Sequence, residues 1–332
     1  MSIIVFGSIN IDLVATTSRL PVAGETLLGK DFLKIPGGKG ANQAVALAKL
    51  GIPTHIVGRV GADDFGTELV NNLQVSGVQT DNIFVDETVS SGVAIITVSD
   101  TGENQIVVIP GANGRVNQED VERLSHFLAE ATALLLQLEI PLTAVVAAAQ
   151  VARRANIKVI LDPAPAQSNL PDELYPLVEI ITPNEVEAAQ LVGFRVDGEE
   201  QAAKAAAVLL QRGVKCAIVK LGTKGVFCAT AEERFFVPAF SVHAVDTVAA
   251  GDAFNGALAA ALFEGLSLHQ AVIWGAAAGA LAATKPGAQT SLPDRFTFDA
   301  FLKERGMGIG SREQGENSSP LHPSPLPLPN AQ

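Results

Sequence analysis

The chain has 332 residues, of which 48% are apolar and 17% are charged, and its 35 acidic and 23 basic side chains give a formal net charge of −12. A chain of this length and apolar fraction can bury a sizeable core, which excludes a disordered protein. No run of basic residues appears, so the sequence predicts no nucleic-acid partner, because phosphate backbones are bound by clustered lysine and arginine. Any anionic ligand must therefore be bound by local features.

The cysteine content and the apolar stretches predict a cytoplasmic protein. Cys216 and Cys228 are too few for a disulfide framework and are expected to be reduced core residues. The N-terminal MSIIVFGS has no basic segment and enters a strand-like run directly, so it is expected to start a domain. The longest apolar stretch, 271–283, has about 13 residues, fewer than the roughly 20 that cross a bilayer. No membrane association is expected.

Short runs rich in Val, Ile and Leu alternate along the chain with Ala-rich helical patterns. The runs are IIVF (3–6), HIVGRV (55–60), ALLLQL (133–138), IKVILD (157–162), VEIIT (178–182) and KCAIVKL (215–221). Strands that are apolar on both faces belong to a parallel sheet covered by helices on each side. The sequence thus predicts an α/β fold, a Rossmann-like three-layer α/β/α sandwich with a central, mostly parallel sheet.

Two extended segments interrupt this alternation and predict a small antiparallel β lid. They are 27–35 and 93–109, and the second reads as a hairpin in which VAIITV and QIVVIP flank the turn SDTGEN. We place the lid segments at about 11–37 and 91–113. A sheet this small cannot bury both faces, so it should cover a site, a second subunit, or both. A homodimer formed through the lid is expected.

The domain is predicted to span 1–305. Beyond Phe301 the periodic pattern decays, and five prolines lie between Pro320 and Pro329 among Ser and Asn residues. This composition predicts a disordered, Pro-rich tail over 306–332.

Polar residues follow the first strand and a glycine-rich helix start. Period-two geometry places Ser8, Asn10 and Asp12 on one face, where a carboxylate beside an amide could bind vicinal hydroxyls, although a solvated edge strand is the plainer interpretation. Three glycines within 37–40 precede a helix and allow close backbone approach to a polar ligand. A turn with a cap is the alternative there, but Lys39 among the glycines argues against a passive turn.

Further polar residues follow later strands, and such strand ends converge on one crevice of a parallel sheet. Gln137, Glu139 and Asp162 are among them, and Glu139 either binds a polar ligand or is an ordinary loop acid. Asn184 with Glu187 three residues later is first a helix capping box, and second a place where a hydrated divalent ion could be held. The segment LGTKG (221–225) is either a plain hairpin or a nucleotide-contacting loop.

The most informative segment is 244–257, in which Ala249, Ala250, Gly251 and Asp252 precede a long Ala-rich helix. Small residues at a helix start leave free N–H groups at its positive end, which makes an anion hole without Lys or Arg. Asp252 could simply complement the helix dipole, a stabilisation of about 0.3–1 kcal/mol. The absence of bulky side chains favours instead a closely approaching phosphoryl group.

Other catalytic signatures are missing from the sequence. There is no GxxxxGK[ST] loop, no GxGxxG helix start after a strand, no HExxH and no Cys/His cluster. The histidines are isolated, so no Ser-His-Asp triad is predicted.

Taken together, a set of segments between Ser2 and about Arg305 resembles the PfkB, or ribokinase-like, family of carbohydrate kinases. The segments are GSINIDL (7–13), GET (24–26), GGKGANQAVA (37–46), LLLQLEIPL (134–142), PAPA (163–166), IITPNEVEA (180–188), LGTKGV (221–226), AVDTVAAGDAFNGAL (244–258) and GAQTS (287–291). The resemblance implies ATP-dependent, in-line phosphorylation of D-ribose at its 5-hydroxyl, with Mg²⁺ and an activating K⁺.

The resemblance also implies roles for individual residues. The catalytic set is Asp252 as the base, with Ala249, Ala250 and Gly251 as the anion hole. The sugar-binding set is Asn10, Asp12, Gly38, Lys39, Asn42, Glu139 and Asp252. The nucleotide-binding set is Asn184, Lys220, Gly222, Thr223, Gly225, Gly251, and Asn255 or Ala276. The metal set is Asp246, Val248, Ala282, Lys285, Gly287 and Ser291 around K⁺, with Glu187 acting on Mg²⁺ through water.

Two other functions remain open at this point. One is a related kinase for deoxyribose, fructose or a nucleoside such as adenosine. The other is a non-catalytic sugar-binding regulator, against which an intact Asp252 and its anion hole argue.

Overall fold

The computed structural model describes residues 1–168 and 170–307. Gly306 and Met307 close the last helix, where the Met307 N–H donates to the Leu302 carbonyl. The rest of the predicted tail, 308–332, lies outside the described residues. Within the described part of the chain, no helix is long and apolar enough to cross a membrane.

A nine-stranded sheet forms the centre of the described chain, in the order β13-β12-β11-β10-β9-β8-β1-β4-β5. Its strands are β1 (Ser2–Phe6), β4 (Thr54–Gly61), β5 (Gln79–Asp86), β8 (Ala131–Leu136), β9 (Lys158–Leu161), β10 (Ile180–Ile181), β11 (Cys216–Lys220), β12 (Gly225–Ala229) and β13 (Arg234–Pro238). In the sheet order, the strands from β5 to β11 are parallel, and the pairs β11–β12 and β12–β13 at one edge are antiparallel, so that β12 alone among the nine described strands runs in the opposite direction. The prediction of a mostly parallel sheet is confirmed.

Helices cover both faces of this sheet, as the apolar strands predict. Along β1, Ile3 and Val5 pack into one buried cluster while Ile4 and Phe6 pack into the other, because successive side chains point to opposite faces. One cluster receives α1 (Lys39–Lys49), α2 (Asp64–Val75), α7 (Ala250–Phe263), α8 (Leu268–Ala282) and α9 (Arg295–Glu304). The other receives α3 (Gln118–Ser125), α4 (Leu142–Arg154), α5 (Glu185–Val192) and α6 (Glu199–Gln211). The result is the predicted three-layer α/β/α sandwich.

A separate four-stranded sheet corresponds to the predicted lid. Its strands are β2 (Asn10–Thr17), β3 (Asp31–Gly37), β6 (Gly92–Ser99) and β7 (Asn104–Ile109), in the order β3-β2-β6-β7. The hairpin of β6 and β7 is antiparallel as predicted, but β2 and β6 are parallel, so the lid sheet is mixed. Two strands joined by a tight turn must be antiparallel, as β6 and β7 are. β2 and β6 can pair in parallel because a long stretch of chain, which includes strands of the main sheet, lies between them.

The lid exposes large apolar side chains on both of its faces. All six residues of β7 are exposed, and Ile106 and Val107, which point to opposite faces, are 54% and 60% accessible. Phe32 and Ile95 are exposed on the neighbouring strands. This apolar surface is the physical basis for expecting a further contact at the lid.

Close packing between α1 and α7 depends on Gly256. A Cβ built on this residue would lie 2.5 Å from the Ala46 Cβ. Gly256→Ala is expected to destabilise the fold by about 1–3 kcal/mol through overpacking, although alanine ordinarily stabilises a helix relative to glycine. Urea unfolding measures the change, with Gly29→Ala as the control, since its nearest neighbour would be 3.5 Å away. An unchanged or raised free energy of unfolding for Gly256→Ala would contradict this packing argument.

Candidate active site

The candidate site lies where the parallel strands of the main sheet end. Chain segments that leave β1, β8, β9, β10 and β11 meet the N-termini of α1 and α7 at this edge. The residues brought together are Ser8, Asn10, Asp12, Lys39, Asn42, Gln43, Gln137, Glu139, Asp162, Glu187, Lys220 and Asp252. Hydrogen bonds and charge interactions among them, described below, indicate one polar crevice beside the lid strand β2.

Glu139 links the end of β8 to the start of α1. Its Oε2 accepts hydrogen bonds from the Ser8 hydroxyl at 2.5 Å and from the Lys39 backbone N–H at 3.0 Å. The Ser8 hydroxyl also accepts from the Gly40 N–H at 3.3 Å. Glu139 is therefore part of the crevice and not an unattached loop acid.

Gly38 lets two backbone segments approach closely at this point. Its φ of 88° lies in the left-handed region, and a Cβ here would be 2.7 Å from the Asn10 nitrogen. Only glycine fits without displacing β2, because both the backbone conformation and the space exclude a side chain. The residues on β2 and α1 that are predicted to bind the sugar are held together through this contact.

Asn10 is oriented by Asn113, a residue that the sequence reasoning did not identify. The Asn113 amide donates to Asn10 Oδ1 at 2.6 Å and to the Ile9 carbonyl at 2.9 Å, and its Oδ1 accepts from the Ile9 N–H. Asn113 is 1% exposed and lies in a 3₁₀ turn directly after the lid. The segment Gly-Ala-Asn-Gly at 111–114 has the composition of a turn, and nothing in it indicates a partner more than a hundred residues earlier.

Asp12 lies on the lid strand β2. Its carboxylate occupies the space beside Gly37 that a side chain at residue 37 would fill. Burial raises the pKa of Asp12 to about 6, and the negative charges of Glu139 and Asp252 act in the same direction. A carboxylate with few protein partners in such surroundings is a strong hydrogen-bond acceptor for hydroxyl groups.

Asp252 is in the first turn of α7, as predicted, and is fixed by two amide side chains. Its Oδ2 accepts from Asn42 Nδ2 at 2.9 Å, and its Oδ1 accepts from Gln43 Nε2 at 3.1 Å. Burial raises its pKa to about 6, with Asp162 adding to the increase, while Lys39 and the two amides oppose it. Asp252 is thus ionised at neutral pH and more basic than an ordinary aspartate.

Lys39 supplies positive charge to this group of acids. Burial alone would lower the pKa of its ammonium group, but the charges of Asp252, Asp162, Glu139 and Glu187 outweigh burial and raise it. Lys39 therefore remains charged throughout the physiological pH range.

A chain of buried side chains connects Asp252 to the end of β11. Gln137 Nε2 donates to Gln43 Oε1 at 2.7 Å, and Gln43 Nε2 donates to Asp162 Oδ2 at 3.0 Å as well as to Asp252. Lys220 Nζ donates to Asp162 Oδ1 at 3.2 Å. The sequence had marked Gln137 and Asp162 only as polar strand ends, and Gln43 had no predicted role.

The start of α7 has the geometry of an anion hole, with two changes from the prediction. Ala249 adopts a left-handed conformation with φ of 59°, and the Ala250 N–H donates to the Thr247 carbonyl at 3.2 Å. Within the described residues the N–H groups of Ala249 and Gly251 donate to no backbone carbonyl, so these are the free donors and Ala250 is not. The hole also has a lysine beside it, because a Cβ on Gly251 would lie 3.5 Å from Lys220 Nζ.

Asn184 and the loop after β11 lie side by side, and the cap interpretation of Asn184 is confirmed. Its Oδ1 accepts from the Val186 and Glu187 N–H groups, while Glu187 Oε2 accepts from the Asn184 N–H at 2.8 Å. The Lys220 N–H donates to the Pro183 carbonyl, which holds the loop against this cap.

The loop itself contains a 3₁₀ turn over Gly222–Lys224. Gly222 and Thr223 are exposed, whereas Gly225 is buried with φ of 133°, and a Cβ on it would be 2.3 Å from the Val237 carbonyl oxygen. The loop therefore has a fixed base and an accessible tip. Both earlier interpretations, hairpin and ligand loop, are compatible with this shape.

Asn255 and Ala276 were alternatives for lining the nucleotide, and their surroundings differ. Asn255 is fully buried, and neither its Oδ1 nor its Nδ2 has a hydrogen-bond partner in the described part of the chain. Because it has no exposed surface, Asn255 does not line an open surface in this structure. Ala276 on α8 is half-buried and remains the accessible alternative.

The residues predicted around a monovalent cation form two adjacent loops joined by Asp246. Its Oδ1 accepts from the Val248 N–H and its Oδ2 from the Gly287 N–H, both at 2.9 Å. The Ala282 carbonyl accepts from the Lys285 N–H, and the Ser291 hydroxyl donates to the Ala288 carbonyl. Within the described residues, the carbonyls of Asp246, Val248, Lys285 and Gly287 accept no hydrogen bond. These free carbonyls fit a K⁺ ion, which prefers such oxygens.

Glu187 has the chemistry that a hydrated Mg²⁺ requires. The cap occupies its Oε2, which leaves Oε1 for a water-bridged ion, and Mg²⁺ prefers carboxylate oxygens and retained waters. Burial raises the pKa of Glu187, and Lys220 opposes that increase. Across residues 1–168 and 170–307, no group of three or more His, Cys, Asp or Glu side chains forms a closed metal site.

The raised pKa values of Asp12 and Asp252 predict an acid limit to activity. For a reaction that needs both carboxylates ionised, kcat/KM should fall by up to about 100-fold per pH unit well below pH 6. Asp12→Asn should reduce that slope to about tenfold per unit. The pH dependence of kcat/KM is measured from initial rates between neutral pH and about pH 5 in a buffer of constant ionic strength. A flat profile over that range would contradict the raised pKa values.

Comparisons with known proteins match almost the whole of the described domain. The model of the pfkB family of carbohydrate kinases matches residues 1–295. A ribokinase of Haemophilus influenzae is 42% identical over 299 residues, which cover 90% of this chain and 97% of that protein.

Two solved structures are similar over almost their whole length. The ribokinase of Thermotoga maritima, 41% identical, superposes with a TM-score of 0.84 over 91% of this chain and 99% of that chain. The Arabidopsis thaliana ribokinase complexed with ribose and ATP, 34% identical, gives a TM-score of 0.84 over 91% and 98% of the two chains. The sandwich with its lid and polar crevice is that of a sugar kinase, and the chain belongs to the PfkB carbohydrate kinase family.

Proposed function

We propose that the protein phosphorylates D-ribose at its 5-hydroxyl with ATP and releases D-ribose 5-phosphate and ADP. The observation that carries the proposal is the position of Asp252: a buried, raised-pKa carboxylate at the N-terminus of α7, next to free N–H groups. A base beside an anion hole is what in-line phosphoryl transfer requires. The similarity to ribokinases over 90% of the chain supports ribose as the sugar.

The reaction steps assign a function to each part of the crevice. As the ribose O5 bonds to the γ-phosphorus, its proton passes to Asp252, and the bond from that phosphorus to the β,γ-bridging oxygen breaks to release ADP. Free N–H groups at Ala249 and Gly251 stabilise the negative charge on the phosphoryl oxygens. The lid closes over the site and excludes water, which prevents hydrolysis of ATP.

The sugar would be bound by side chains from three directions. Asp12 and Asn10 come from the lid strand, Lys39 and Asn42 come from the start of α1, and Glu139 comes from the end of β8. Within residues 1–168 and 170–307, Asn42 Oδ1 is buried without a partner, which is the state expected of an acceptor reserved for a ligand hydroxyl. Asp12 is the proposed acceptor for the secondary hydroxyls, because it is a carboxylate on the lid strand β2 whose pKa is raised to about 6 by burial.

The nucleotide would lie along the opposite side of the crevice. Asn184, Lys220, the exposed tip of the loop at Gly222 and Thr223, and Ala276 on α8 are the proposed contacts. When bound, Mg²⁺ would neutralise phosphate charge, with Glu187 holding one of its waters. K⁺ would be held by the carbonyls around Asp246, close to the start of α7, and would add positive potential there.

We further propose a cytoplasmic homodimer formed through the lid. The exposed apolar faces described above support it, since contiguous apolar surface of this kind usually marks an interface. Ile106→Lys combined with Val107→Lys should convert the dimer into a monomer, because charges on both faces of β7 oppose burial. Light scattering after size exclusion measures the mass. Val75→Lys, at an exposed apolar residue outside the lid, is the control, and a dimer that survives the double substitution would refute the lid interface.

A substrate panel tests the proposed activity. In a coupled ADP-release assay with Mg²⁺ and K⁺, kcat/KM for D-ribose should exceed that for deoxyribose, fructose and adenosine. Omission of K⁺ should lower the rate, and chelation of Mg²⁺ should abolish it. A higher kcat/KM for one of the other acceptors would identify that compound, instead of ribose, as the preferred substrate. Absence of transfer to every acceptor in the panel would refute the proposal that the protein is a sugar kinase.

A further inference from the structure

Lys220 occupies a position that the general scheme of base and backbone anion hole does not explain. Lys220 is the last residue of β11, and its side chain is 14% exposed. Its Nζ lies 3.2 Å from Oδ1 of Asp162, and the Asp162 side chain is 3% exposed. Nζ also lies 5.8 Å from the centre of the Phe254 ring on α7. The ammonium group is thus held inside the crevice and does not extend into solvent.

The same ammonium group lies beside the free N–H donors of α7. The distance of 3.5 Å between Nζ and the position of a Cβ on Gly251 places Lys220 over the backbone of the residue that precedes Asp252. Any side chain at residue 251 would touch it, so the glycine keeps a space between the lysine and the helix start. A tetrahedral or planar phosphoryl group entering that space would meet backbone donors on one side and an ammonium group on the other.

Asp162 is the acid with which Lys220 pairs. Its two carboxylate oxygens are shared between Lys220 and Gln43, and the same Gln43 amide nitrogen donates to Asp252. Gln137 fixes the orientation of Gln43 by donating to its Oε1. This arrangement keeps Lys220 on Asp162, and within the described residues the hydrogen bonds to Asp252 come from the neutral amides of Asn42 and Gln43 and not from Lys220.

We propose that Lys220 is a catalytic residue that contacts the transferring phosphoryl group and stabilises its charge in the transition state, and that Asp162 positions it. The inference rests on the proposed kinase function and adds a side-chain cation to the backbone anion hole. Lysine suits this role because a single ammonium group can bind phosphate oxygens as a point charge while keeping a bond to a carboxylate.

Kinetics of Lys220→Met test the proposal. The variant should lower kcat by about 10- to 100-fold, because a preorganised donor to a developing charge acts mainly in the transition state. The dissociation constant of ADP, which lacks the transferred group, should change by less than about threefold in calorimetry. Lys220→Arg, which keeps the charge, should recover part of kcat. Lys204→Met is the control, because Lys204 pairs with Glu200 on the exposed face of α6, outside the crevice, and its loss should leave kcat unchanged.

The double variant Lys220→Met/Asp162→Asn separates a catalytic role from a structural one. If Lys220 only neutralised Asp162, removal of both charges would leave no unpaired buried group and kcat would recover to the wild-type value. The proposal requires the double variant to remain as slow as Lys220→Met. Circular dichroism checks that each variant is folded, and the double variant keeps the test valid if Lys220→Met alone does not fold.

Two results would overturn the inference: a Lys220→Met variant with wild-type kcat, or recovery of kcat in the double variant. Failure of the underlying function gives a different pattern, because the wild-type protein would then transfer no phosphoryl group to any acceptor in the panel.

Discussion

Asp252→Asn is expected to reduce kcat for ribose phosphorylation by about 10²–10⁴-fold, the usual contribution of a general base. The amide keeps the size of the side chain and can still accept a hydrogen bond, but it cannot take the O5 proton. Ribose binding should persist, since Asn10, Asp12 and Glu139 provide the other contacts. Single-turnover rates measure the chemical step, and titration calorimetry measures the sugar affinity.

A matched control separates catalysis from helix stabilisation. Asp64 occupies the first turn of α2, so it complements a helix dipole in the same way but lies outside the crevice. Asp64→Asn should cost about 0.3–1 kcal/mol of stability and leave kcat unchanged. If Asp252→Asn retained wild-type turnover, Asp252 would have only that dipole role and the proposed proton transfer would be wrong.

Asp12→Ala should weaken ribose binding by about 10- to 100-fold, because a hydrogen bond to a charged group contributes about 1.5–3 kcal/mol. KM for ribose should rise by that factor, while KM for ATP and kcat change much less, since Asp12 is on the lid strand and, within the described residues, makes no hydrogen bond to the start of α7. Steady-state kinetics with each substrate varied in turn distinguish these effects.

Asp31→Ala is the control for this second substitution. Asp31 belongs to the adjacent strand β3, on the same face of the lid as Asp12, and is exposed at its far end. This control tests whether loss of any carboxylate on the lid weakens sugar binding. An unchanged KM for ribose in Asp12→Ala, or an equal increase in Asp31→Ala, would show that Asp12 does not bind the sugar.

The central sheet could be predicted from the sequence because its strands are apolar on both faces. The runs at 3–6, 133–138 and 215–221 coincide with β1, β8 and β11 within two residues. Strands that are exposed along part of their length, such as β5 and β13, have mixed polarity and gave no comparable signal. The parallel pairing within the lid depends on how distant segments meet, which local periodicity does not encode.

The site could be predicted as a set of residues but not as a network. Asp252 and Asn184 were recognised from helix-start patterns, which are local and therefore visible in one sequence. The contacts of Gln43 with Asp162 and Asp252 join residues 119 and 209 positions apart. The left-handed Ala249 and the closeness of Lys220 to Gly251 also arise only from tertiary packing, so the anion hole was predicted without its lysine.

The net charge of −12 is compatible with a polyanionic substrate because the positive potential is local. Lys39 and Lys220 lie in the crevice with the free N–H groups of α7, and acidic residues elsewhere on the surface do not cancel charges at short range under physiological salt. Net charge therefore argues against a nucleic-acid surface without excluding a nucleotide.

Proton-coupled ³¹P NMR of the product formed from D-ribose and ATP tests the central claim most directly. Transfer to O5 should give a phosphomonoester resonance split into a triplet by the two protons on C5, together with ADP, and Asp252→Asn should give almost none. A product split by a single proton would place the phosphate on a different oxygen. Release of inorganic phosphate without a sugar phosphate would contradict the proposed kinase reaction altogether.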